Sequence, residues 1–411
     1  MALRPFGVRP ERDPYTRAPL PSVSVALIGD AGAGKTTLLS ALTLALANRG
    51  WGVLVEFYAL DCAAIERQNG ESSSLSHVTG RTSRRRHLWI DCPGRVRYTR
   101  NAYNGIAQAD IGVLVVAADQ GLTPHARELV RIAAHVGVRD WVVFLSKIDA
   151  PDVGAELLEL SELEVREFMN SLELAGDDVV VLRGAPQRVL ELAGVRRVIP
   201  LDRPNEAAPL WALLDVIDAF ALPRRDDRGA FWMPIDDVFA RYGPRSVIVT
   251  GKVARGSLAL GDEFDLLGFD QSARGVVRSL HQARAPVERV SAGDHAGVWI
   301  EGRTRWNTRR GQVLCAPGRG DMRQTLRVRL RALTSEEGGR STPYYIGYRP
   351  QLHVHTADVT ATVVESSRVD TPPGASRQHR LTLHAPIFAL PGQRIVLRAS
   401  DQTVALGEII D

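Results

Sequence analysis

The sequence predicts an α/β domain with a parallel sheet, followed by two all-β barrel domains. The first ~220 residues alternate apolar strand-like runs with helix-like segments, which is typical of a parallel sheet covered by helices on both faces. A Pro- and charge-rich stretch, FALPRRDDRGAF, ends this alternation at 220–231. Beyond it, short β-type runs separated by Gly-containing turns continue to the C-terminus, which indicates consecutive barrels.

The same patterns set the predicted domain limits. At 411 residues the chain is too long for one compact core. The limits are a flexible N-terminal arm at 1–20, the α/β domain at 21–222, a linker at 223–230, one barrel at 231–319 and a second barrel at 320–411. In the α/β domain the expected strands are SVSVALIG, RRRHLWIDC, IGVLVVAA and DWVVFLSKID, with helical segments between them.

Composition excludes several classes of protein. A hydrophobic fraction of 45% with 24% charged residues is ordinary for a globular protein, and no apolar run approaches the ~20 residues of a membrane span. The Arg- and Pro-rich N-terminus lacks the apolar segment of a secretory signal. Three cysteines, Cys62, Cys92 and Cys315, show no disulfide or zinc spacing, which fits a reducing compartment. We therefore expect a cytoplasmic protein without membrane contact.

The basic residues carry a sharper signal than the net charge. A formal charge of +4 permits a polyanionic partner such as RNA, but a solvated Arg-rich surface is the alternative. The chain has only three lysines, Lys35, Lys147 and Lys252, and every other basic side chain apart from histidine is arginine. Two of these lysines lie inside the nucleotide motifs described next, which indicates that the motifs have not decayed.

A phosphate-binding motif lies where the first strand gives way to a helix. The pattern G-x-x-x-x-G-K-[ST] is matched by Gly29-Asp30-Ala31-Gly32-Ala33-Gly34-Lys35-Thr36. The candidate nucleotide-binding residues of this segment run from Asp30 to Thr37. In such a loop, backbone N–H groups and the helix N-terminus surround phosphates. Lys35 would reach the β- and γ-phosphate oxygens, and the Thr36 hydroxyl would bind Mg²⁺. A Gly-rich turn with a chance lysine is the weaker alternative.

The segment Asp91-Cys92-Pro93-Gly94 follows the loop by about 55 residues, at the end of a predicted strand. Asp91 would hold Mg²⁺ through water, and Gly94, next to Pro93, could bring its N–H close to a γ-phosphate. Taken alone, the segment could also be a strand-end turn. Arg95 is unexpected after it, because an arginine stays protonated and cannot act as a general base. We assign Lys35, Gly94 and Arg95 as the candidate catalytic residues.

The nature of the base is indicated by Ser146-Lys147-Ile148-Asp149, which follows the next buried strand. A carboxylate at Asp149 can accept hydrogen bonds from N1–H and the 2-amino group of guanine, whereas adenine presents an acceptor at N1. The Lys147 stem can cover the flat base. Combined with the phosphate loop, the motif predicts GTP rather than ATP.

These elements, in this order and followed by two β domains, resemble the elongation factor Tu family of translational GTPases. The resemblance extends over nearly the whole chain after about residue 20, through short strings that include DCPG, LELSELEVREF, MPIDDVF, VIVTG, RGQVL, EGGRSTP, GYRPQ and TADVT. It implies an α/β P-loop GTPase domain followed by two barrels, with GTP or GDP and Mg²⁺ as cofactors and GTP hydrolysis as the activity.

The resemblance also implies aminoacyl-tRNA and the ribosome as partners of a monomeric protein, with an exchange factor as an optional one. The pocket for the aminoacyl end would be built by His77, Asp236, Asp237, Phe239 and His295. Where the family grips the 5′ end and the T stem of tRNA, this chain has Arg100, Asn101, Arg310 and, in the last domain, Arg349. Charge for phosphate and an aromatic ring for a base suit such a site. For each residue singly, a purely structural role is the alternative.

The chain departs from the family pattern mainly in its catalytic parts. Arg95 stands where the family has the histidine that positions water, and Gly32 and Ala33 stand where it has Asp and His. In the first switch, Ser72 keeps a hydroxyl for Mg²⁺, while Glu71 adds negative charge beside phosphate, which is unfavourable unless it turns outward or pairs with Arg95. We therefore expect slow hydrolysis, in which Arg95 could still neutralise charge on the transferred phosphoryl group.

The guanine site departs as well. Ser146 replaces the family asparagine, and Ala185-Pro186-Gln187 replaces a Ser-Ala-Leu loop. Both changes remove supporting hydrogen bonds, a loss of ~1–3 kcal/mol on the usual scale, but they leave Asp149 in place.

Three hypotheses remain open from the sequence. The first is a GTPase that delivers aminoacyl-tRNA to the ribosomal A site. The second is a GTP-binding regulatory or specialised paralogue, such as a resistance factor, with little hydrolysis and no general elongation role. The third keeps the fold without nucleotide, and the retained lysines argue against it.

Overall fold

A computed structural model describes residues 20–56, 75–199, 204–240, 246–283, 285–303, 307–367 and 370–411. The chain divides into two compact units, Leu20–Pro223 and Arg224–Asp411. The N-terminal arm up to residue 19, Cys62 and the predicted first switch, with Glu71 and Ser72, lie outside the described residues. The predicted limits of the arm, the linker and the two β domains remain a proposal.

The first unit is an α/β domain, as predicted. Its strands are β1 (Ser22–Ile28), β2 (Ser76–Arg81), β3 (Arg86–Asp91), β4 (Ile111–Ala117), β5 (Asp140–Ser146) and β6 (Val180–Arg183). Its helices are α1 (Lys35–Asn48), α2 (Thr99–Ile106), α3 (Pro124–Val136), α4 (Ala155–Ser171), α5 (Pro186–Ala193) and α6 (Pro204–Ala219). A single 3-10 turn, Val96–Tyr98, precedes α2.

The sheet has the strand order β2-β3-β1-β4-β5-β6. Five strands are parallel, as predicted, and the additional strand β2 runs antiparallel to β3 at the edge of the sheet. The reason is the short connection between β2 and β3, where the Thr82 N–H donates to the Arg85 carbonyl at 2.9 Å. A connection of this length can only form a hairpin, whereas parallel strands need a long crossover.

The core of this unit fixes where the phosphate loop lies. All seven residues of β4 are buried, as expected for a central strand covered on both faces. Leu38 and Leu42 of α1 pack in one apolar cluster with Val25 and Leu27 of β1. Because the five parallel strands share a direction, their carboxyl ends meet at one edge of the sheet, and the N-terminus of α1 follows the carboxyl end of β1.

The second unit contains the remaining strands. The first group is β7 (Trp232–Pro234), β8 (Asp237–Ala240), β9 (Ser246–Lys252), β10 (Ser257–Ala259), β11 (Glu263–Gly268), β12 (Gln271–Val276), β13 (Leu280–Gln282), β14 (Ala285–Val287), β15 (Arg289–Ser291), β16 (His295–Glu301) and β17 (Val313–Cys315). The second group is β18 (Met322–Ala332), β19 (Tyr344–Tyr345), β20 (Gln351–Val354), β21 (Ala357–Ser366), β22 (Asp370–Thr371), β23 (Ser376–Phe388), β24 (Arg394–Ala399) and β25 (Gln402–Ile409).

The two groups close to different degrees. Strands β18-β23-β21-β20-β24-β25 form a closed barrel, as predicted for the last domain. The described strands of the first group form sheets of the orders β12-β11-β17-β7, β14-β13-β16-β9-β8 and β10-β15 around a shared apolar core. This domain is therefore β-rich but, in the part described, consists of separate sheets. The sequence could not show this, because alternation gives the faces of a strand and not its neighbours.

The hairpin between β11 and β12 links the two β domains. Phe269 and Asp270 form its tip, both with positive φ (56° and 60°) as a two-residue hairpin turn requires. The Phe269 N–H donates to the Pro386 carbonyl at 2.9 Å, and its ring packs against the core of the closed barrel. The Arg309 guanidinium lies 3.8 Å from the centre of the same ring. The tip therefore holds the β domains together within this unit.

Over the described ranges, no helix is both long enough and apolar enough to cross a membrane.

Candidate functional site

The phosphate loop spans residues 29–34, between β1 and α1. Gly34 occupies the N-cap of α1 with a φ of 90°, a left-handed conformation that favours glycine. The Asp30 carboxylate accepts the Ala31 N–H at 2.7 Å, and the Ala33 N–H donates to the Asp30 carbonyl at 3.2 Å. The loop is therefore folded onto itself at the positive end of the α1 dipole, where oxyanions are stabilised.

Lys35 lies inside this loop. Its Nζ donates to the carbonyls of Gly29 at 3.0 Å and Asp30 at 2.7 Å, and the residue is only 6% exposed. Burial lowers the pKa of Lys35 below its ordinary value, although the negative charge of Asp91 partly opposes this shift. An ammonium held in this way lacks a full counter-charge, so a phosphate group would stabilise it.

Thr36 and Asp91 meet at the ends of neighbouring elements. The Thr36 hydroxyl donates to Oδ2 of Asp91 at 2.6 Å, and Asp91 is 2% exposed. The register of β1 and β3 places Asp91 opposite Leu27, two residues before the loop begins. A hydroxyl and a carboxylate are the hard oxygen ligands that Mg²⁺ prefers. The pair therefore fits the predicted metal site, to which the predicted third member, Ser72, would belong.

Gly94 approaches the loop from the β3 side. Its carbonyl accepts the Ala31 N–H at 3.0 Å. A Cβ on Gly94 would lie 2.5 Å from both Lys35 Nζ and the Asp30 carbonyl carbon, which is closer than real Cβ contacts come. Only glycine therefore allows the chain to pass here. The neighbouring Pro93 is buried.

Arg95 follows Gly94 directly and is half-buried. It has an extended backbone (φ −92°, ψ 143°) at the N-cap of the 3-10 turn Val96–Tyr98. Arg95 is therefore the first residue after the close approach of Gly94 to the loop.

The predicted base-binding residues follow β5 at the same edge. The Ser146 hydroxyl, which is buried, donates to the Ala33 carbonyl at 2.6 Å, so it ties this strand to the phosphate loop. Lys147 has a φ of 55°, and its ammonium lies 3.3 Å from the Asp119 carboxylate. Asp149 is exposed. Asp119 was not predicted, although its position just after β4 on the same edge could have indicated it.

The segment Ala185-Pro186-Gln187 lies beside the base-binding residues through β6. The Gly184 N–H donates to the Leu145 carbonyl at 3.0 Å, which sets the end of β6 next to the end of β5. Ala185 is the N-cap of α5 and Pro186 its first residue, so the predicted loop is the start of a helix. Because proline has no N–H, this helix offers one backbone donor fewer at its N-terminus. Gln187 is exposed and bonds to Glu191 at 3.2 Å.

A second polar cluster lies in the β unit. Asp236, which is 4% exposed, accepts a hydrogen bond from the Thr250 hydroxyl, and one carboxylate oxygen lies 2.8 Å from His295 Nε2. The Asp236 N–H also donates to the Thr250 carbonyl at 2.9 Å. The fold thus brings together Asp236 and His295, which are 59 residues apart in sequence.

The exposed face beside this cluster carries two further predicted residues. Asp237 and Phe239 alternate with the buried Val238 on β8, so both point outward, and Phe239 is 50% exposed. Lys252 lies directly opposite His295 in the β9–β16 register. Sequence reasoning did not include Lys252 or Thr250 in the site, although the rarity of lysine in this chain was an available signal.

The other predicted RNA-binding residues are distributed over both units. His77 is half-buried on β2, and Arg100 and Asn101 lie in the first turn of α2, all in the first unit. Arg310 is half-buried in the turn before β17, and Arg349 is exposed two residues before β20. Their joint action with the Asp236 cluster remains a proposal.

Comparison with known proteins agrees with this architecture. Residues 20–222 match the family model described as the elongation factor Tu GTP binding domain. Residues 246–315 match elongation factor Tu domain 2, and residues 321–411 match the elongation factor Tu C-terminal domain.

One similar solved structure is the crystal structure of a bacterial selenocysteine-specific elongation factor, EF-Sec. It is 18% identical in sequence, with a TM-score of 0.74 over 95% of this chain and 58% of that chain. This chain thus spans a little under three fifths of that protein, and the likeness concerns the fold. With three consecutive domain models matched in order, the chain belongs to the elongation factor Tu family of translational GTPases.

Proposed function

We propose that this protein binds GTP with Mg²⁺, carries aminoacyl-tRNA to the ribosomal A site and hydrolyses GTP slowly. It would act in the cytoplasm as a monomer, with the ribosome as partner and an exchange factor as an optional one. The observation that carries the proposal is the convergence of Lys35, Thr36, Asp91 and Gly94 on one loop at the carboxyl edge of the sheet.

The phosphate end of this site supports nucleotide binding. The loop N–H groups and the α1 N-terminus would bind the β-phosphate, and the buried Lys35 ammonium would reach the β- and γ-phosphate oxygens. Thr36 and Asp91 would hold Mg²⁺, which neutralises charge on the phosphates when it is bound. The Gly94 N–H would report whether a γ-phosphate is present, because nothing larger than hydrogen fits at its Cα.

The base end supports guanine with reduced affinity. Asp149 keeps the carboxylate that distinguishes guanine from adenine. The Ser146 hydroxyl donates to the Ala33 carbonyl and is therefore not available to the base, and Pro186 has no N–H that could bind it. The loss of one or two such hydrogen bonds would weaken binding by ~1–3 kcal/mol.

Slow hydrolysis follows from Arg95. A guanidinium can neutralise charge on the transferred phosphoryl group, but it does not accept a proton from water at neutral pH. The step that would remain slow is therefore the orientation and deprotonation of the attacking water.

The Asp236 cluster supports the binding of an aminoacyl end. A buried carboxylate can accept hydrogen bonds from an α-amino group, and the exposed Phe239 ring can stack on a terminal adenine. Lys252, opposite His295, adds positive charge for a nearby phosphate.

A second candidate is a specialised factor that binds GTP with little turnover and has no general elongation role. Pro186 at the start of α5 and Arg95 beside Gly94 favour it, because both weaken parts that rapid cycling uses. The similar EF-Sec structure is that of a selenocysteine-specific elongation factor, so this fold also serves specialised translation.

Nucleotide titration and ribosome-stimulated turnover test these proposals. A fluorescent GDP analogue should bind the wild-type protein, and this binding should be lost in Asp149→Ala. An adenine nucleotide should not compete for the site. The absence of guanine-nucleotide binding up to millimolar concentration would overturn the proposal. Ribosome-stimulated turnover as fast as that of an ordinary elongation factor would contradict slow hydrolysis and the second candidate together.

A further inference from the structure

The closed barrel carries a row of outward-facing arginines on two adjacent strands. On β18 exposed and buried residues alternate, so Arg327, Arg329 and Arg331 all point away from the core. On β23 the exposed Arg380 lies opposite Arg327, and Gln378 lies opposite Arg329. Such a row is most often a solvated surface in which each guanidinium pairs with a carboxylate.

Most of these arginines do pair in this way. Arg327 lies 3.0 Å from Asp411, Arg331 lies 2.7 Å from Glu337, and Arg380 lies 3.2 Å from Glu365.

Arg329 differs from its neighbours. Within the described ranges, no carboxylate forms an ion pair with it. Glu408 lies opposite Arg329 on β25, but its carboxylate pairs with Arg394 at 2.9 Å. Arg329 is therefore the member of the row whose charge is left without a local counter-ion in this part of the chain.

Arg329 also lines a groove. The groove has a volume of about 620 Å³ and is lined by Arg329, Ser367, Ala375, Ser376, Arg377 and Gln378. Among the described residues, the lining consists of two arginines, two serines, an alanine and a glutamine and includes no acidic residue. One side of it is fixed in place, because Arg377 Nη1 donates to the Asp370 carbonyl at 2.7 Å and the Ser367 N–H donates to the Gln378 carbonyl at 3.0 Å.

This set of groups matches one ligand chemistry. Guanidinium groups donate paired hydrogen bonds to the oxygens of a phosphate, and hydroxyl and amide donors complete the coordination of the oxyanion. The groove is larger than a single phosphate needs, so a phosphate within a nucleotide or an RNA backbone would fit it.

We propose that the groove around Arg329 is a phosphate-binding site, occupied by the sugar–phosphate backbone of RNA or by a free phosphate or nucleotide. It is separate from the T-stem contact proposed at Arg349. That residue precedes β20, and in the closed strand order β20 lies three strands from β18 in either direction, on the opposite side of the barrel.

The test compares Arg329→Gln with Arg327→Gln in the full chain. Both variants lose one positive charge from the same exposed face of the same strand, but only Arg327 is paired with a carboxylate. One arm measures fluorescence anisotropy of a labelled RNA hairpin that carries no aminoacyl group, over a range of salt concentrations. The other arm measures binding of inorganic phosphate and pyrophosphate by calorimetry. Thermal midpoints of both variants check folding.

The expected result is a loss of affinity for RNA or phosphate in Arg329→Gln that Arg327→Gln does not share. Affinity should fall by about fivefold or more, with a salt slope smaller by about one, against less than about twofold for Arg327→Gln. Loss in the RNA arm alone assigns the site to an RNA backbone, and loss in the phosphate arm assigns it to a free anion. Equal effects of the two variants, or wild-type protein that binds neither probe, would overturn the proposal. Protection of an aminoacyl ester does not depend on this groove, so a failure here leaves the proposed delivery function standing.

Discussion

The hydroxyl of Thr36 and the carboxylate of Asp91 lie 2.6 Å apart although 55 residues separate them in sequence. The contact exists because β1 and β3 are parallel neighbours, so the residues that follow them emerge at one edge of the sheet. Thr36 is at the same time in the first turn of α1, beside the buried Lys35. One contact thus joins α1, the phosphate loop and β3.

Thr36→Ala should make nucleotide binding insensitive to Mg²⁺. The change removes the hydroxyl ligand and leaves Asp91 in place. The wild-type protein should therefore bind nucleotide more tightly than the variant in Mg²⁺, and no more tightly when the metal is chelated. We expect affinity for GTP in Mg²⁺ to fall at least tenfold, or about 1.4 kcal/mol, as measured with a fluorescent analogue. Thr36→Ser, which keeps the hydroxyl, is the matched control and should retain the Mg²⁺ dependence. Equal affinities of wild type and Thr36→Ala in Mg²⁺ would show that Thr36 is no metal ligand.

Gly94→Ala should weaken nucleotide binding strongly while leaving the sheet folded. The added methyl group would lie 2.5 Å from Lys35 Nζ and would push either the ammonium or the 30–31 backbone out of place. Gly154→Ala, at the N-cap of α4, adds the same methyl group where nothing lies within 4 Å. We expect at least a tenfold loss of nucleotide affinity in the first variant, on the order of 1.4 kcal/mol, and none in the second. Similar losses in both variants would contradict the clash.

Arg95→His should accelerate hydrolysis. An imidazole at this half-buried position could orient the attacking water, which the guanidinium cannot do as a base. We expect the single-turnover rate on ribosomes to rise by about 10²-fold or more. Arg95→Ala separates this gain from the loss of a positive charge, and it should be no faster than wild type. If Arg95→His is slower than wild type, Arg95 itself stabilises the transition state.

His379 should make the β unit acid-labile. Burial lowers the pKa of His379 to about 4, against an ordinary 6.5, so the folded state holds it neutral. The unfolded state binds the proton first as pH falls, and stability is therefore lost between pH 6.5 and about 4. His379→Gln should reduce the fall in thermal midpoint over this range by about 2–4 °C. His384→Gln, on an exposed residue of the same strand, should leave the pH profile unchanged. An unaltered profile in His379→Gln would refute the assignment.

Local signals indicated which residues gather around the phosphate loop. The loop, Lys35 and Thr36 are neighbours in sequence, and the carboxyl-edge rule for parallel strands then places Asp91 and Ser146 beside them. What the sequence could not show is how each side chain uses its hydrogen bonds. Ser146 was interpreted only as a weakened asparagine, yet its hydroxyl ties β5 to the phosphate loop.

Long-range partners were predicted only through resemblance. Nothing in the periodicity of the β region pairs Asp236 with His295, because the strands that hold them are joined by register and not by proximity in sequence. The edge strand β2 was not predicted, because its hairpin contains arginines in place of the usual Asn-Gly or Asp-Gly turn signal. Arg329 was not singled out, because an unpaired arginine cannot be told from its paired neighbours without the fold.

The most direct test of the account is the lifetime of the ester bond of aminoacyl-tRNA in the presence of this protein. We expect the GTP-bound wild-type protein to slow spontaneous hydrolysis of the ester markedly, and the GDP-bound protein to do so weakly. Asp236→Asn, which keeps the shape of the side chain but removes its charge beside His295, should lose the protection while still binding nucleotide. An ester that hydrolyses equally fast with and without the GTP-bound protein would contradict the delivery of aminoacyl-tRNA.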